Sequence, residues 1–202
     1  MTLDVALEKA RKELMELPAY VVGARSRTDF DGSKFKLPFF NKFYFITHPD
    51  IAVTEDVTRL QPPQWLELIM LHYLITADGT PIADKWIAYR QLPGAFIFEQ
   101  RFSGMAVEPL LKAYGNDIEG FKTAGQLLKG VPISRVGDAG FMFDAFPLVR
   151  MACILYLGDE DVGPSINILY DASVSNHLHT EDLSYLGSYL AIAMQERKGN
   201  LY

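Results

Sequence analysis

The chain has 202 residues, of which 49% are hydrophobic and 22% are charged, a composition typical of a globular protein with a sizeable core. The formal net charge is -6 and the 19 lysine and arginine residues form no long basic run, so we expect no nucleic-acid partner. The single cysteine excludes an internal disulfide bond and a multi-cysteine metal or iron-sulfur site within this chain.

The N-terminal residues 2–17 predict an amphipathic helix, because Leu3, Leu7, Ala10 and Leu14 recur at helical spacing. This segment is mostly charged and lacks the apolar core of a signal peptide. No window of the sequence approaches the roughly 18 apolar residues of a membrane span. We therefore expect a cytoplasmic protein without a membrane partner.

The first half of the chain predicts a hairpin and a central helix. Residues 21–31 are mixed and polar and end in a turn. Residues 35–45 form one aromatic strand interrupted by Pro38, and residues 51–54 are expected to pair with it. Residues 64–76 follow two prolines and are apolar on nearly all sides, so they predict a helix in the centre of the fold.

The middle of the chain predicts further strands and two short helices. Residues 86–92 alternate in polarity as in a strand, and the aromatic residues 95–102 are expected to be extended. Residues 106–115 and 117–128 predict two helices that glycines end.

The C-terminal part predicts a core hairpin followed by a helix. Residues 149–157 are almost continuously apolar and predict a central strand, which contains Cys153 as a buried thiol. The acidic residues 158–164 predict a turn at the surface, and residues 166–170 predict the partner strand. Thr180 is expected to cap the helix that follows. That helix places four apolar residues on one stripe: Leu183, Leu186, Leu190 and Met194.

Residues 31–73 and 137–189 show the same predicted order of strands followed by a helix. Duplication would produce such a pair of similar halves, and so would chance. We predict one α+β domain over residues 1–202, with a largely antiparallel sheet built from hairpins and with helices packed on it.

His177 and His179 form an H-x-H sequence just before the last predicted helix. In an extended segment the two imidazoles would share a face and could ligate the metal of a tetrapyrrole. The alternative is that both are solvated or pair with Glu181 or Asp182. A separate metal site is not predicted, because a third ligand such as His48, His72 or Asp171 would have to be supplied by the fold.

Arg90 and Arg150 lie in otherwise apolar predicted strands, where an unpaired charge is too costly to bury. Their candidate partners within the chain are Asp144, Asp171 and Glu99. Capture of an anionic ligand is the other interpretation of the two guanidinium groups.

Catalytic signatures are scarce, so the sequence leaves open whether the protein is an enzyme. It contains no G-x-S-x-G, no phosphate-binding P-loop and no H-E-x-x-H. Asp171 and His177 are the residues on which a hydrolase or transferase activity would depend.

Four motifs carry a family resemblance: WIAYRQLPG (86–94), VEPL (107–110), GDAGFMF (137–143) and LGDEDVGPSINILYDAS (157–173), the last followed by HLHTEDL. The chain resembles a domain family of unknown function from anaerobic bacteria and archaea. Some members of that family follow an iron-sulfur domain like that of corrinoid iron-sulfur proteins. The resemblance implies an anaerobic setting and a partner enzyme in one-carbon or corrinoid metabolism, but it brings no catalytic residues.

These observations lead to three functional hypotheses. The first is a ligand-binding or accessory protein for a tetrapyrrole, either corrinoid or haem, or for another anionic cofactor. Its site would use His177, His179, Arg90, Arg150 and Asp171. The second is a non-catalytic protein-protein interaction module, for which a homodimer is one arrangement, and the third is a small hydrolase or transferase.

Overall fold

A computed structural model describes residues 2–199, with side chains as far as Arg197, and it divides them into two compact units. The first unit combines the N-terminal part with two later segments: residues 2–83, Asp144–Val149 and Ser173–His179. The second unit contains the remaining segments: Asp84–Phe143, Arg150–Ala172 and the residues from Thr180 onward. Helices accompany two antiparallel sheets, so the predicted α+β class is confirmed.

The regular elements in chain order are α1 (Leu3–Glu16), α2 (Ala19–Ser26), β1 (Asp29–Phe30), β2 (Lys34–Phe39), β3 (Lys42–Thr47), β4 (Val53–Glu55), α3 (Gln64–Thr76), β5 (Trp86–Ala88), α4 (Glu99–Phe102), α5 (Glu108–Tyr114), α6 (Ile118–Leu127), β6 (Val131–Pro132), β7 (Ala139–Phe146), β8 (Val149–Tyr156), β9 (Ser165–Asp171) and α7 (Thr180–Gly199). Short 3₁₀ turns cover Tyr89–Gln91, Ala95–Ile97 and Val174–Asn176, and a π-helical turn covers Ser103–Val107.

The first unit contains an antiparallel sheet in the order β1-β2-β3-β4. Alternate residues of β2 are buried, which gives the sheet one core face and one solvent face. Helix α3 begins and ends where the sequence predicts, and its interior position is confirmed by complete burial of Met70, Leu71 and Tyr73. Helix α1 is tied to α3 by Arg11, which donates a 2.7 Å hydrogen bond to the buried Glu67.

The prediction of one strand over residues 35–45 is wrong, because this segment contains two strands that reverse at Phe40 and Asn41. Phe40 has a φ of 48°, which closes the turn without a glycine. Aromatic residues continue through the turn, so composition gives no sign of the reversal. Pro38 is tolerated because β1 pairs with β2 only at residues 35 and 36.

Two helical segments were missed by the sequence analysis. Helix α2 lies in the mixed segment 21–31 and begins before it, and it buries only Val22, Gly23 and Ser26. A side chain at Gly23 would meet the carbonyl oxygen of Thr28 at 2.9 Å, so the close contact requires glycine there. The aromatic segment 95–102 is helical rather than extended, and it leaves Phe96 exposed.

The second unit is built on a sheet in the order β5-β9-β8-β7-β6. Five consecutive residues of β8, Met151–Leu155, are buried, so both faces of this strand are covered as predicted. The predicted apolar stripe of α7 is also confirmed, since its four residues are fully buried. Thr180 is the first residue of α7, and its hydroxyl donates a 2.7 Å hydrogen bond to the carbonyl of Pro93.

The similar order predicted for two parts of the chain is present in the elements themselves. The strands β2, β3 and β4 form an antiparallel meander that precedes α3. The strands β7, β8 and β9 form another, which precedes α7. Of the helices in residues 2–199, none is both long and apolar enough to cross a membrane.

Tyr73 provides a test of the first unit's core. Its hydroxyl donates to the carbonyl of Ser26 at 2.7 Å and accepts from the amide of Leu148 at 3.2 Å, and its ring stacks on Phe146. Tyr73→Phe leaves two buried backbone groups without this partner, so we expect a loss of about 1–3 kcal/mol in the free energy of unfolding. Urea unfolding followed by circular dichroism measures it.

Tyr20→Phe is the matched control, because the Tyr20 side chain is exposed and its hydroxyl is free to bond to water. This variant should change the free energy of unfolding by less than about 0.5 kcal/mol. Equal stability of the two variants would contradict the proposed role of the Tyr73 hydroxyl.

Candidate functional site

The two histidines of the H-x-H sequence lie in the first unit, in different environments. His177 is fully buried after the 3₁₀ turn, and its carbonyl accepts a 2.6 Å hydrogen bond from the Thr76 hydroxyl. His179 is exposed. The expectation that they share a face is wrong, because the preceding 3₁₀ turn and the non-extended backbone of His177 replace the extended segment assumed from the sequence.

The fold places His72 of α3 beside His179. Their ring centroids are 5.7 Å apart and the rings are nearly perpendicular. His177 has a different neighbour, since its Nδ1 lies 3.8 Å from Oδ1 of Asp78. Across residues 2–199, no three histidine, cysteine, aspartate or glutamate side chains are grouped in a way that could hold a metal ion.

Asp78 supplies negative charge next to His177. The backbone amide of Thr80 donates to its carboxylate at 2.8 Å, and this bond, the Thr80 hydroxyl and the nearby imidazole lower the pKa of Asp78. The carboxylate therefore stays ionised at neutral pH and disfavours an anionic ligand at this position.

Arg150 and Asp171 lie in the second unit and both contact the segment that leads into β5. Arg150 of β8 donates a 3.1 Å hydrogen bond to Asp84, which supplies the carboxylate that the sequence analysis required but did not identify. Asp171 at the end of β9 is buried and accepts a 3.2 Å hydrogen bond from the amide of Lys85. These two predicted site residues have structural contacts that fix the start of β5.

Arg90 differs from Arg150 because it is exposed. The predicted strand 86–92 ends at Ala88, and Arg90 lies in the 3₁₀ turn that follows. Gln91 stabilises this turn, since its side chain accepts a 2.7 Å hydrogen bond from the amide of Ala88. The placement of Arg90 in a regular strand is therefore wrong, and its charge needs no buried partner.

The turn that carries Arg90 borders a cleft of 250 Å³ in the second unit. The cleft is lined by segments around β5, α4 and β9: Ala88, Tyr89, Arg90, Glu99, Phe102, Ser103, Val107, Ile166, Asn167 and Ile168. The rings of Tyr89 and Phe102 stack in parallel with their centroids 4.1 Å apart, which gives the cleft an aromatic side.

The lining combines polar groups with a rare backbone conformation. Ser103 and Val107 begin and end the π-helical turn, a conformation found frequently at functional sites. Within the described part of the chain, Arg90 and Glu99 have neither a salt bridge nor a side-chain hydrogen bond. Ser103 and Asn167 were not identified from the sequence. Ser103 belongs to none of the quoted motifs, Asn167 lies in a motif (157–173) that points to no particular chemistry, and the π-helical turn leaves no recognisable pattern.

The titratable groups of this cleft differ in what they can do chemically. The hydroxyl of Tyr89 donates a 3.0 Å hydrogen bond to the carbonyl of Thr180, and burial raises the pKa of Tyr89 to about 12. Tyr89 is therefore protonated at neutral pH and is not a general base. Arg90 supplies a permanent positive charge, and Glu99 is the one carboxylate in the lining.

Cys153 is excluded as a nucleophile. It is fully buried in β8, as predicted, and burial raises the pKa of its thiol to about 12. Because the thiolate is the reactive form, the thiol is both inaccessible and unreactive near neutral pH.

A thiol-labelling measurement tests the burial of Cys153. We expect an aromatic disulfide reagent to leave the native protein unlabelled for hours at pH 8 and to label one thiol in concentrated guanidinium, where the pKa returns to about 8.5. Rapid labelling of the native protein would show that β8 is not the covered central strand.

Searches of curated proteins and of solved structures gave no significant match to the chain. A family model described as a domain of unknown function, DUF3786, matches residues 20–193. This match covers β1 to β9 and most of α7, and therefore includes both the histidine segment and the Arg90 cleft. The chain belongs to the DUF3786 family.

Proposed function

We propose that this protein binds a small anionic molecule in the Arg90 cleft of the second unit. The observation that carries the proposal is the exposed guanidinium of Arg90, which has no ion-pair partner in residues 2–199 and lines a concave site with an aromatic side. The planar guanidinium donates two parallel hydrogen bonds to a carboxylate or a phosphate. Among the residues predicted for an anionic ligand, Arg90 is therefore the one we assign to ligand binding.

The volume and the polar groups of the cleft restrict the ligand. At 250 Å³ the cleft is smaller than the roughly 300–1,000 Å³ of sites for drug-sized molecules, so the ligand is small or only one end of it enters. Glu99 repels a second carboxylate and accepts hydrogen bonds from a hydroxyl or an N–H group. The preferred ligand thus carries one anionic group together with a hydrogen-bond donor.

Calorimetric titration with acetate, lactate and inorganic phosphate tests the proposal. We expect Arg90→Ala to weaken binding by about 10- to 100-fold, which corresponds to roughly 1.4–2.8 kcal/mol, because a charge-assisted hydrogen-bond pair is lost. Arg90→Lys should fall between the wild type and Arg90→Ala, since lysine retains the charge but not the planar donor pair.

Lys112→Ala is the matched control, because Lys112 is an exposed cation of the same unit that does not line the cleft. It should bind the three anions as the wild type does. If all four proteins bind them equally, or none binds any of them, the proposed function is wrong.

A tetrapyrrole, corrinoid or haem, is the second candidate ligand. The observation that favours it is the exposed imidazole of His179 beside His72 in the first unit, since an accessible imidazole can serve as an axial ligand. His177 is fully buried and would have to move to reach a metal. In this alternative the protein would be a cytoplasmic accessory protein for a partner enzyme of one-carbon or corrinoid metabolism in an anaerobe.

Absorbance spectra after addition of haem or cobalamin distinguish this alternative. A shifted band that is lost in His179→Ala and kept in Asn176→Ala, an exposed neighbour in the same segment, would support it. An unshifted spectrum of the wild-type protein would eliminate the tetrapyrrole.

A further inference from the structure

The Arg90 cleft lies where strand β9 loses one of its two neighbours. On one side, β9 pairs with β8 over residues 165–170. On the other side, its pairing with β5 ends at the pair Ala88 and Leu169, where the chain turns into the 3₁₀ turn. Residues 165–168 of β9 therefore form an open strand edge on the β5 side.

The backbone groups that point to this open edge can be identified from the register. The amide of Ala172 donates a 2.8 Å hydrogen bond to the carbonyl of Lys85, so residue 172 points toward the β5 side. Backbone groups alternate along a strand, and Tyr170, Ile168 and Ile166 therefore point to that side as well. Asn167 points to its partner in β8, Ile154.

Two amides of β9 are thus directed to the cleft, those of Ile166 and Ile168, and both residues belong to its lining. Neither amide donates a hydrogen bond to the backbone of a loop residue in the described chain. The carbonyl of Tyr89, which would face Ile168 if β5 continued, accepts a 3.0 Å hydrogen bond from the amide of Leu92. The cleft therefore combines an open strand edge with the guanidinium of Arg90.

We infer that the cleft binds the carboxyl-terminal end of an extended peptide, which adds to β9 as a short strand and places its terminal carboxylate on Arg90. The inference rests on the proposed function and specifies its ligand. Amides two residues apart in a strand are separated by about 6.6–6.8 Å, a spacing that an extended main chain matches. A phosphate or a simple acid can satisfy the guanidinium but leaves the strand edge unpaired.

Other features of the cleft agree with a peptide end. Its volume of 250 Å³ suits a few residues of a chain end rather than a chain that passes through. Phe102 and Val107 offer apolar contact for a small side chain, and Glu99 can accept from a peptide N–H. Because the main chain supplies most of the hydrogen bonds, recognition should tolerate different side chains.

The experiment titrates the full-length, isotope-labelled protein with the peptide acetyl-Ala-Val-Ala, and amide resonances are followed by NMR. We expect the amides of Ile166 and Ile168 to shift and their hydrogen exchange to slow by at least tenfold. C-terminal amidation of the peptide, or Arg90→Ala in the protein, should weaken binding by at least tenfold, and Lys112→Ala should not.

Two N-methylated peptides test for the added strand. Methylation at one of two successive amides should weaken binding at least tenfold and methylation at the other should not, because alternate residues of a strand face opposite edges. Equal effects at the two positions would overturn the inference.

The controls separate this inference from the proposed function. If N-acetylalanine or inorganic phosphate binds as tightly as the tripeptide and depends on Arg90, the cleft binds small anions and the peptide inference is wrong. If neither the peptide nor any of these anions binds in an Arg90-dependent manner, both proposals fail. Binding with shifts confined to residues outside the cleft also overturns the inference.

Discussion

The short pairing between β5 and β9 is the constraint on which the proposed binding site of the second unit depends. It ends at Ala88, and this ending both exposes Arg90 and leaves residues 165–168 of β9 with an open edge. Arg150 and Asp171 hold the start of β5 through Asp84 and Lys85, so the position of this strand beside β9 is fixed. A fixed strand position pre-organises the proposed site, which reduces the entropy lost when a ligand binds.

The histidine segment of the first unit shows how local backbone shape separates neighbouring side chains. A single 3₁₀ turn leads into His177, which is buried near the ionised Asp78, while His179 two residues later is exposed beside His72. The negative charge of Asp78 makes the surroundings of His177 favourable to a cation and unfavourable to an anion. The two units therefore differ in the chemistry that they offer: imidazoles near a carboxylate in the first, and a guanidinium at a strand edge in the second.

The sequence predicted those parts of the fold that depend on burial periodicity. Helix α3, strand β8 and the apolar stripe of α7 were identified correctly, because each has a long and regular apolar pattern. The hairpin turn at Phe40 and the helical segment 95–102 were not, since aromatic residues continue through the first and are exposed in the second. The cleft could not be predicted from the sequence, because it forms where β5 ends. Tertiary contacts, and not a local sequence pattern, determine the position of that end.

The amide of Ala88 has a consequence for how copies of this protein behave in crowded solution. Edge strands with unpaired backbone groups are templates for self-association. The amide of Ala88 points outward from the β5 border of this sheet and donates its hydrogen bond to the side chain of Gln91. The opposite border, β6, has only two residues, and one of them is proline. These two borders of the sheet thus resist fibre growth, whereas the open edge of β9 lies in a recess too small for another folded molecule to enter.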